Sequence, residues 1–198
     1  MSVRRDGRSN PAETGLPSGA MTPIGHAAVG YVVARAHARL GPRWTVSPWH
    51  VVLGSVLPDI DFVLVWAPRF NEWHRVVTHN LSFVALASVL LGWALARARG
   101  HAMSRTVLAL ALGGVLHLLV DACMDGNASN GIGIAVLWPF DDRMWSPFNL
   151  VTAAESGAGW RDPWTALRGS ARGMVWELPW IATALVLMRR RRADPVAK

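Results

Sequence analysis

A single cysteine, Cys123, rules out an internal disulfide and a thiolate zinc site, so any bound metal would have to be held by histidine and carboxylate. Charge is scarce too: 17% of the 198 residues are Asp, Glu, Lys or Arg, against roughly a quarter in an ordinary soluble domain. Acidic residues are fewer than basic ones, 13 against 20, for a formal net charge of +7. The arginines nevertheless form no basic face. They gather in short groups beside apolar stretches (Arg35, Arg39, Arg43; Arg97, Arg99, Arg105; Arg189 to Arg192), which argues against nucleic-acid binding and reads as membrane topology. The opening MSVRRDGRSNPAETGLPSGA has no apolar core, so it is neither a secretory signal nor a span; its Gly, Pro, Ser and Arg content predicts a disordered tail over residues 1–20.

What the chain does have is apolar surface: 52% hydrophobic residues, a mean hydropathy of +0.24 and 11 tryptophans, a composition suited to wide lipid contact. Its length fits one domain. Five segments carry membrane-like hydrophobicity, at about 24–40, 48–67, 81–97, 105–124 and 174–188, all near or below the roughly 20 residues of a perpendicular span. The expected fold is an all-α integral membrane bundle of about four to five membrane helices over residues 21–190, with a basic cytoplasmic tail at 191–198. Residues 152–173 read as an exposed loop holding a short amphipathic helix at WTALRG.

The arginines orient the bundle. With residue 189 onward inside, the turns carrying Arg97, Arg99 and Arg105 and carrying Arg35, Arg39 and Arg43 also fall inside. The protein is thus expected as a multi-pass protein of the plasma or inner membrane with a cytoplasmic C-terminus. Arg4, Arg5 and Arg8 do not fit this scheme, and a start at Met21 would remove the conflict.

The same topology sends His26, Asp59, Asp61, His74, His79, His117 and Asp121 to the extracytoplasmic ends of their segments. His117 and Asp121 are four apart, on one helical face, and both can reach one ion. In LPDID, Pro58 bends the chain and Asp59 and Asp61 offer two carboxylates for divalent cations. His74 and His79, five apart in HRVVTHN, suit a loop or helix start, with Arg75 between them placed to hold a phosphate oxygen or a carboxylate. Each has an ordinary structural reading alone: a helix end for Asp121, a helix-start hydrogen bond for His26, a turn for Asp59. Seven together point to a metal cluster, because ionisable groups in membrane segments are costly and usually face an interior or aqueous cavity. His37, His50 and His101 lie on the inner side and stand apart from this set. In DGNASNGIGIAVLWPFDDRMWSPFN, Gly126, Gly131 and Gly133 permit tight turns, and Trp138, Phe140, Trp145 and Phe148 suit an interfacial belt. This segment either roofs the site or lies on the lipid surface. Asp141 and Asp142 stay outside the core set.

In order, GHAAVG, GSVLPDID, HRVVTHN, HLLVD and LWPF resemble the YdjM family of membrane-bound metal-dependent hydrolases, over roughly residues 21 to 145. The resemblance implies a helical membrane protein with hydrolase chemistry and a ligand pattern similar to the zinc-dependent phospholipase C group. It carries over to His26, Asp59, Asp61, His74, His79, His117 and Asp121. Val76 and Asn80 depart from the family's usual small residue and serine, which bears on substrate fit.

The expected function is therefore a membrane-bound hydrolase using one or two divalent ions, zinc by preference, on a phosphoester of a lipid or amphiphilic substrate. Membrane lipid is the expected partner and nucleic acid is not. Asp59, Asp61 and Arg75 are the expected catalytic residues, the aspartates as proton acceptors where they are not ligands and Arg75 as anion holder. The alternatives are a metal-binding protein or transporter without hydrolase activity, and a scaffold whose polar groups only join helices.

Overall fold

The computed structural model describes residues 21–38, 47–64, 67, 73–124, 133–147 and 163–193, without the side chains of 124, 163–173 and 191–193. The expected tail over 1–20, Arg39, Arg43, Gly126, Gly131, Phe148 and the basic end beyond 193 lie outside the described residues. Their regular secondary structure is helical, apart from an isolated antiparallel bridge between Ile134 and Trp145, with turns, bends and irregular backbone over 74–80 and 133–147.

Helix starts are written into the sequence. Thr22 caps α1 (Pro23–His37), its hydroxyl accepting from the Gly25 amide at 3.2 Å, with proline at the first helical position. Ser47 precedes α2 (Pro48–Val56), again with proline first. Asn80 caps α3 (Leu81–Arg99), which Gly100 ends in the left-handed conformation at φ 66°. Helix α4 runs from Met103 to Met124 and α5 from Pro163 to Ala193.

Two expectations about the segments change. The stretch 48–67 is not one helix: Pro58 has no N–H for the Gly54 carbonyl, so α2 ends after 9 residues and Pro58–Leu64 continues as a 3-10 turn. The stretch read as a loop with a short helix is instead helical from Pro163 onward, continuous with the last apolar segment. Asp162-Pro163 is a helix-start signal, and the alanines, leucine and arginines after it carry the helix across its glycines. Two helices, α3 and α4, are long and apolar enough to cross a membrane. Leu86, Val89, Leu90 and Trp93 of α3 and Val175, Trp176, Leu178 and Leu185 of α5 are exposed, apolar faces suited to lipid contact.

The helices stand side by side in the order α5, α1, α2, α4, α3. Glycines set the closest approach. A Cβ on Gly54 would collide with the backbone carbonyl of Leu110, and one on Gly113 with the Val51 carbonyl and Ser55 amide, so α2 and α4 touch backbone to backbone. Gly114 similarly admits Val84 of α3. On the other flank, Thr22 before α1 bonds Glu177 of α5 and, further along both helices, Ala28 and Tyr31 pack with Ala184, so these two helices run in the same direction. One end of the bundle therefore gathers the start of α1, the end of α2, the start of α3 and the end of α4. Arg35, Arg97, Arg99, Arg105, Arg189 and Arg190 lie towards the other end, where His50 meets His101 edge-on at 5.3 Å.

Because backbone atoms cannot swing aside as a side chain can, Gly54→Ala and Gly113→Ala should each destabilise the fold by about 1–3 kcal/mol. Gly100→Asn, at a left-handed cap with nothing within 4 Å, should cost less than either, since only the backbone conformation is strained and Asn tolerates it best. Thermal unfolding of the detergent-solubilised variants checks both expectations.

Candidate metal centre

At the end of the bundle where the ligand-bearing segments meet, the break after α2 has a chemical consequence. Leu57 turns its amide back to the Gly54 carbonyl at 3.3 Å, and the Ser55 carbonyl accepts a bond from His117 Nδ1 at 2.8 Å. A carbonyl can only accept, so His117 carries its proton on Nδ1, and in the neutral ring Nε2 is an open lone pair. The close Gly54–Gly113 crossing is what brings that carbonyl within reach of α4.

A second chain of bonds fixes His79 in the same way. The Thr78 hydroxyl donates to Asp61 Oδ2 at 2.9 Å, so its oxygen is the acceptor for His79 Nδ1 at 3.0 Å. His79 thus also turns an unprotonated Nε2 inward. Burial holds His79 well below the usual histidine range, and neighbouring His117 and His74 push the same way, so the ring is neutral at physiological pH. For Asp61 burial is the largest single effect and would raise it. The hydrogen bond and charge of His74, with His79 and Thr78, outweigh that and keep it below the usual carboxylate range. His74 donates to Asp61 through Nδ1 at 3.0 Å and rests edge-on against Phe62.

The two lone pairs point at carboxylates. His79 Nε2 stands 3.4 Å from both Asp59 Oδ1 and Asp121 Oδ2, and His117 Nε2 stands 3.7 Å and 3.5 Å from the same two atoms. His26 Nε2 is 3.1 Å from Asp121 Oδ1, and its ring stacks on His117 at 3.7 Å. Neither His79 Nε2 nor His117 Nε2 has a hydrogen-bond partner, nor do Asp59 Oδ2 and Asp61 Oδ1. Buried polar atoms are seldom left so, and their spacing explains why here. Two donors bound tetrahedrally at ~2.1 Å to one ion stand about 3.4 Å apart. The groups His26–Asp59–His117, His79–His117–Asp121 and Asp61–His74–His79 each bring three donor atoms within 4.8 Å of one another. They share His79 and His117, and together they contain all seven ligands expected from the sequence. Charge agrees with this geometry: the buried carboxylates of Asp59 and Asp121 and the half-buried one of Asp61 gather near one buried guanidinium, Arg75, an acidic excess that suits a cation.

Arg75 enters the centre from the loop before α3. It is 1% exposed, with Nη2 at 4.0 Å from Asp121 Oδ2 and a backbone φ of 69°, unusual for a side chain of this size. Its carbonyl accepts from the Ala135 amide at 3.1 Å, and the Leu81 amide donates to the Val136 carbonyl at 3.0 Å. Residues 133–147 therefore follow the first of the two readings of this segment: Ala135 bonds the ligand loop and Ile134 packs on Val84, Leu118 and Ala122, while Leu137 and Phe140 are exposed. Gly133 takes φ 99°, with the Trp145 carbonyl where a Cβ would be. Asp141 is taken up by Arg143, away from the ligands. His50 and His101 are at the opposite end, as expected.

Asn80 has a role the sequence reading did not give it. It accepts from the Phe83 amide at 2.7 Å and donates to the Val76 and Val77 carbonyls at 2.7 and 2.8 Å, tying the His74–His79 loop to the start of α3. Thr78, within the quoted HRVVTHN, and Ser55, within GSVLPDID, were also missed as the groups that orient ligands. Their signal was position alone, next to a ligand or just before the proline.

The chain matches the family described as YdjM inner membrane protein over residues 21–193, nearly its whole length. It belongs to the YdjM family. The match extends well past the LWPF motif and takes in α5. No curated protein and no solved structure matches the chain. Family membership places it among inner membrane proteins, and its buried His and Asp groups fit a metal-binding centre.

Asn80→Ala should destabilise the protein by about 1–3 kcal/mol, having lost a cap and left two loop carbonyls without their donor. Asn80→Ser, which keeps the capping oxygen, should recover part of that loss. Thermal melting of the three proteins side by side makes the comparison.

Proposed function

We propose that this YdjM protein is a membrane-bound metal-dependent hydrolase acting on a phosphoester of a lipid or amphiphilic substrate. The observation that carries the reading is the convergence of the His79 and His117 Nε2 atoms on the carboxylates of Asp59 and Asp121, with the outer nitrogen of each ring already hydrogen-bonded. His26, Asp59, His79, His117 and Asp121 would hold one ion, and Asp61 and His74 would contribute to a second, since His79 has a single free nitrogen; zinc is the best match to so nitrogen-rich a set. An ion bound there supplies Lewis acidity and lowers the pKa of water to roughly 7.

The chain's own residues supply the remainder. Arg75 presents a fixed guanidinium to an anionic phosphoryl group, held in place by the Ala135 bond to its backbone. Asp59, with Oδ2 lacking a partner, is placed to accept a proton. Burial of the set, half-buried Asp61 apart, keeps bulk water from screening these charges. Amphiphilic substrates suit the surroundings: Ile60 lies exposed between two ligands, and Trp73, Val77 and Leu81 are exposed beside the others. The arginines at the other end of the bundle support an extracytoplasmic site and a cytoplasmic C-terminus.

The transporter reading is less well supported. Among the described residues, the buried polar groups between the cluster and His50 are the hydroxyls of Ser55, Ser88 and Thr106, with no carboxylate or imidazole to continue an ion pathway.

In lipid nanodiscs loaded with zinc, the protein should release phosphorylated headgroup from a panel of phospholipids, lysophospholipids and lipid-linked phosphates, and a chelator should stop it. Arg75→Gln should lower turnover by about 10²-fold with metal content unchanged. Metal-loaded wild type that leaves the entire panel intact would overturn the hydrolase reading. For orientation, a fluorescent reporter fused after Lys198 should mature and alkaline phosphatase at the same place should be inactive; the reverse pattern puts the site in the cytoplasm.

A further inference from the structure

Helix α5 shows lipid-facing residues on either side of Glu177: Met174, Val175, Trp176 and Leu178 are all exposed. Glu177 itself is 2% exposed. A carboxyl group in such a segment is costly and calls for a specific partner. Its partner is the start of α1. Glu177 Oε1 accepts from the Thr22 amide at 2.6 Å, and Oε2 accepts from the Thr22 hydroxyl at 2.7 Å. The Thr22 hydroxyl in turn accepts from the Gly25 amide, and the Thr22 carbonyl accepts from the His26 amide at 3.0 Å. His26 then reaches Asp121 at 3.1 Å. Only Thr22 and the first turn of α1 separate the carboxylate of α5 from a ligand of the centre.

The geometry suits the electrostatics. The first amides of a helix lack intrahelical acceptors, and its N-terminus carries partial positive charge, so a carboxylate is stabilising there. The approach is possible because residue 25 is glycine: a Cβ there would press on Met21 and on the Glu177 side chain, both closer than 3.0 Å. The sequence TPIGH thus carries a cap, a contact surface for α5 and a ligand within five residues.

We infer that Glu177 is a positioning residue for the metal centre, fixing His26 through its two bonds to Thr22. The inference rests on the metal-binding reading of the cluster. Glu177 touches no ligand and takes no part in the chemistry; it sets where the first turn of α1 begins and so where the His26 ring lies against Asp121 and His117. Loss of the contact frees that turn while leaving the α2–α4 crossing and the other ligands in place.

The test uses the full-length protein in detergent or nanodiscs, with wild type, Glu177→Gln, Thr22→Val, Thr22→Ser and, as reference, His26→Ala. Zinc affinity is measured by chelator competition and the ligand field by the absorption spectrum of the cobalt-loaded protein, with helicity and elution profile as fold controls. Glu177→Gln and Thr22→Val should each weaken zinc binding by about 10-fold and shift the cobalt spectrum towards that of His26→Ala. Thr22→Ser, which keeps the hydroxyl, should behave as wild type. The double variant should be no weaker than the stronger single one, because both act through one contact. If Glu177→Gln fails to fold, Thr22→Val against Thr22→Ser decides the matter alone. Wild-type affinity and spectrum in the folded Glu177→Gln and Thr22→Val proteins would overturn this inference alone. A wild type that takes up no stoichiometric metal would overturn it together with the metal-binding reading.

Discussion

The His79 and His117 rings turn their Nε2 atoms to the carboxylates of Asp59 and Asp121, at 3.4–3.7 Å. With both rings neutral, lone pair faces lone pair inside a low-dielectric interior, which is repulsive unless positive charge lies between them. The surrounding structure holds the repulsive arrangement in place. The Ser55 carbonyl takes the outer proton of His117, and the Thr78 hydroxyl, committed to Asp61, takes that of His79. Neither ring can turn without breaking a buried bond. Arg75 offsets part of the negative charge, and the remainder suits a metal cation.

That constraint explains features of the fold that otherwise look unrelated. Pro58 cuts α2 short, which turns two aspartates into the centre. Gly54 and Gly113 bring α2 and α4 to backbone contact, which puts the Ser55 carbonyl beside His117. Asn80 binds the loop carrying His74, Arg75 and His79 to the head of α3, and Ala135 holds that loop from the other side. Each device uses backbone atoms or short side chains, so the ligand positions depend little on long, flexible groups.

The ligands were legible in the sequence because polar residues in an apolar chain are conspicuous, and because arginine bias sorted them to one end. The pair at 117 and 121 declared its shared face through helical spacing. The expected continuity of 48–67 failed at Pro58, although the same proline had been read as a bend; hydropathy averages over a residue that backbone chemistry does not ignore. The start of α5 failed for the converse reason, since the glycines and charges of 163–173 mimic a loop while the backbone propensity there is helical. The groups that orient the ligands, Ser55, Thr78 and Asn80, act through a carbonyl, a hydroxyl and an amide whose partners are distant in the chain or set by a local turn. Only three-dimensional proximity reveals such roles. Glu177 stands in the sequence as a carboxylate within an apolar segment, but its partner lies 155 positions away and shows only in the fold.

X-ray absorption at the metal edge on gently purified full-length protein tests the central claim most directly. A centre built as described gives nitrogen and oxygen neighbours at about 2.0–2.1 Å and the outer-shell scattering of at least two imidazole rings, with no sulfur. Bound metal surrounded by oxygen alone, with no imidazole signature, or a protein that holds no metal at all, would contradict it.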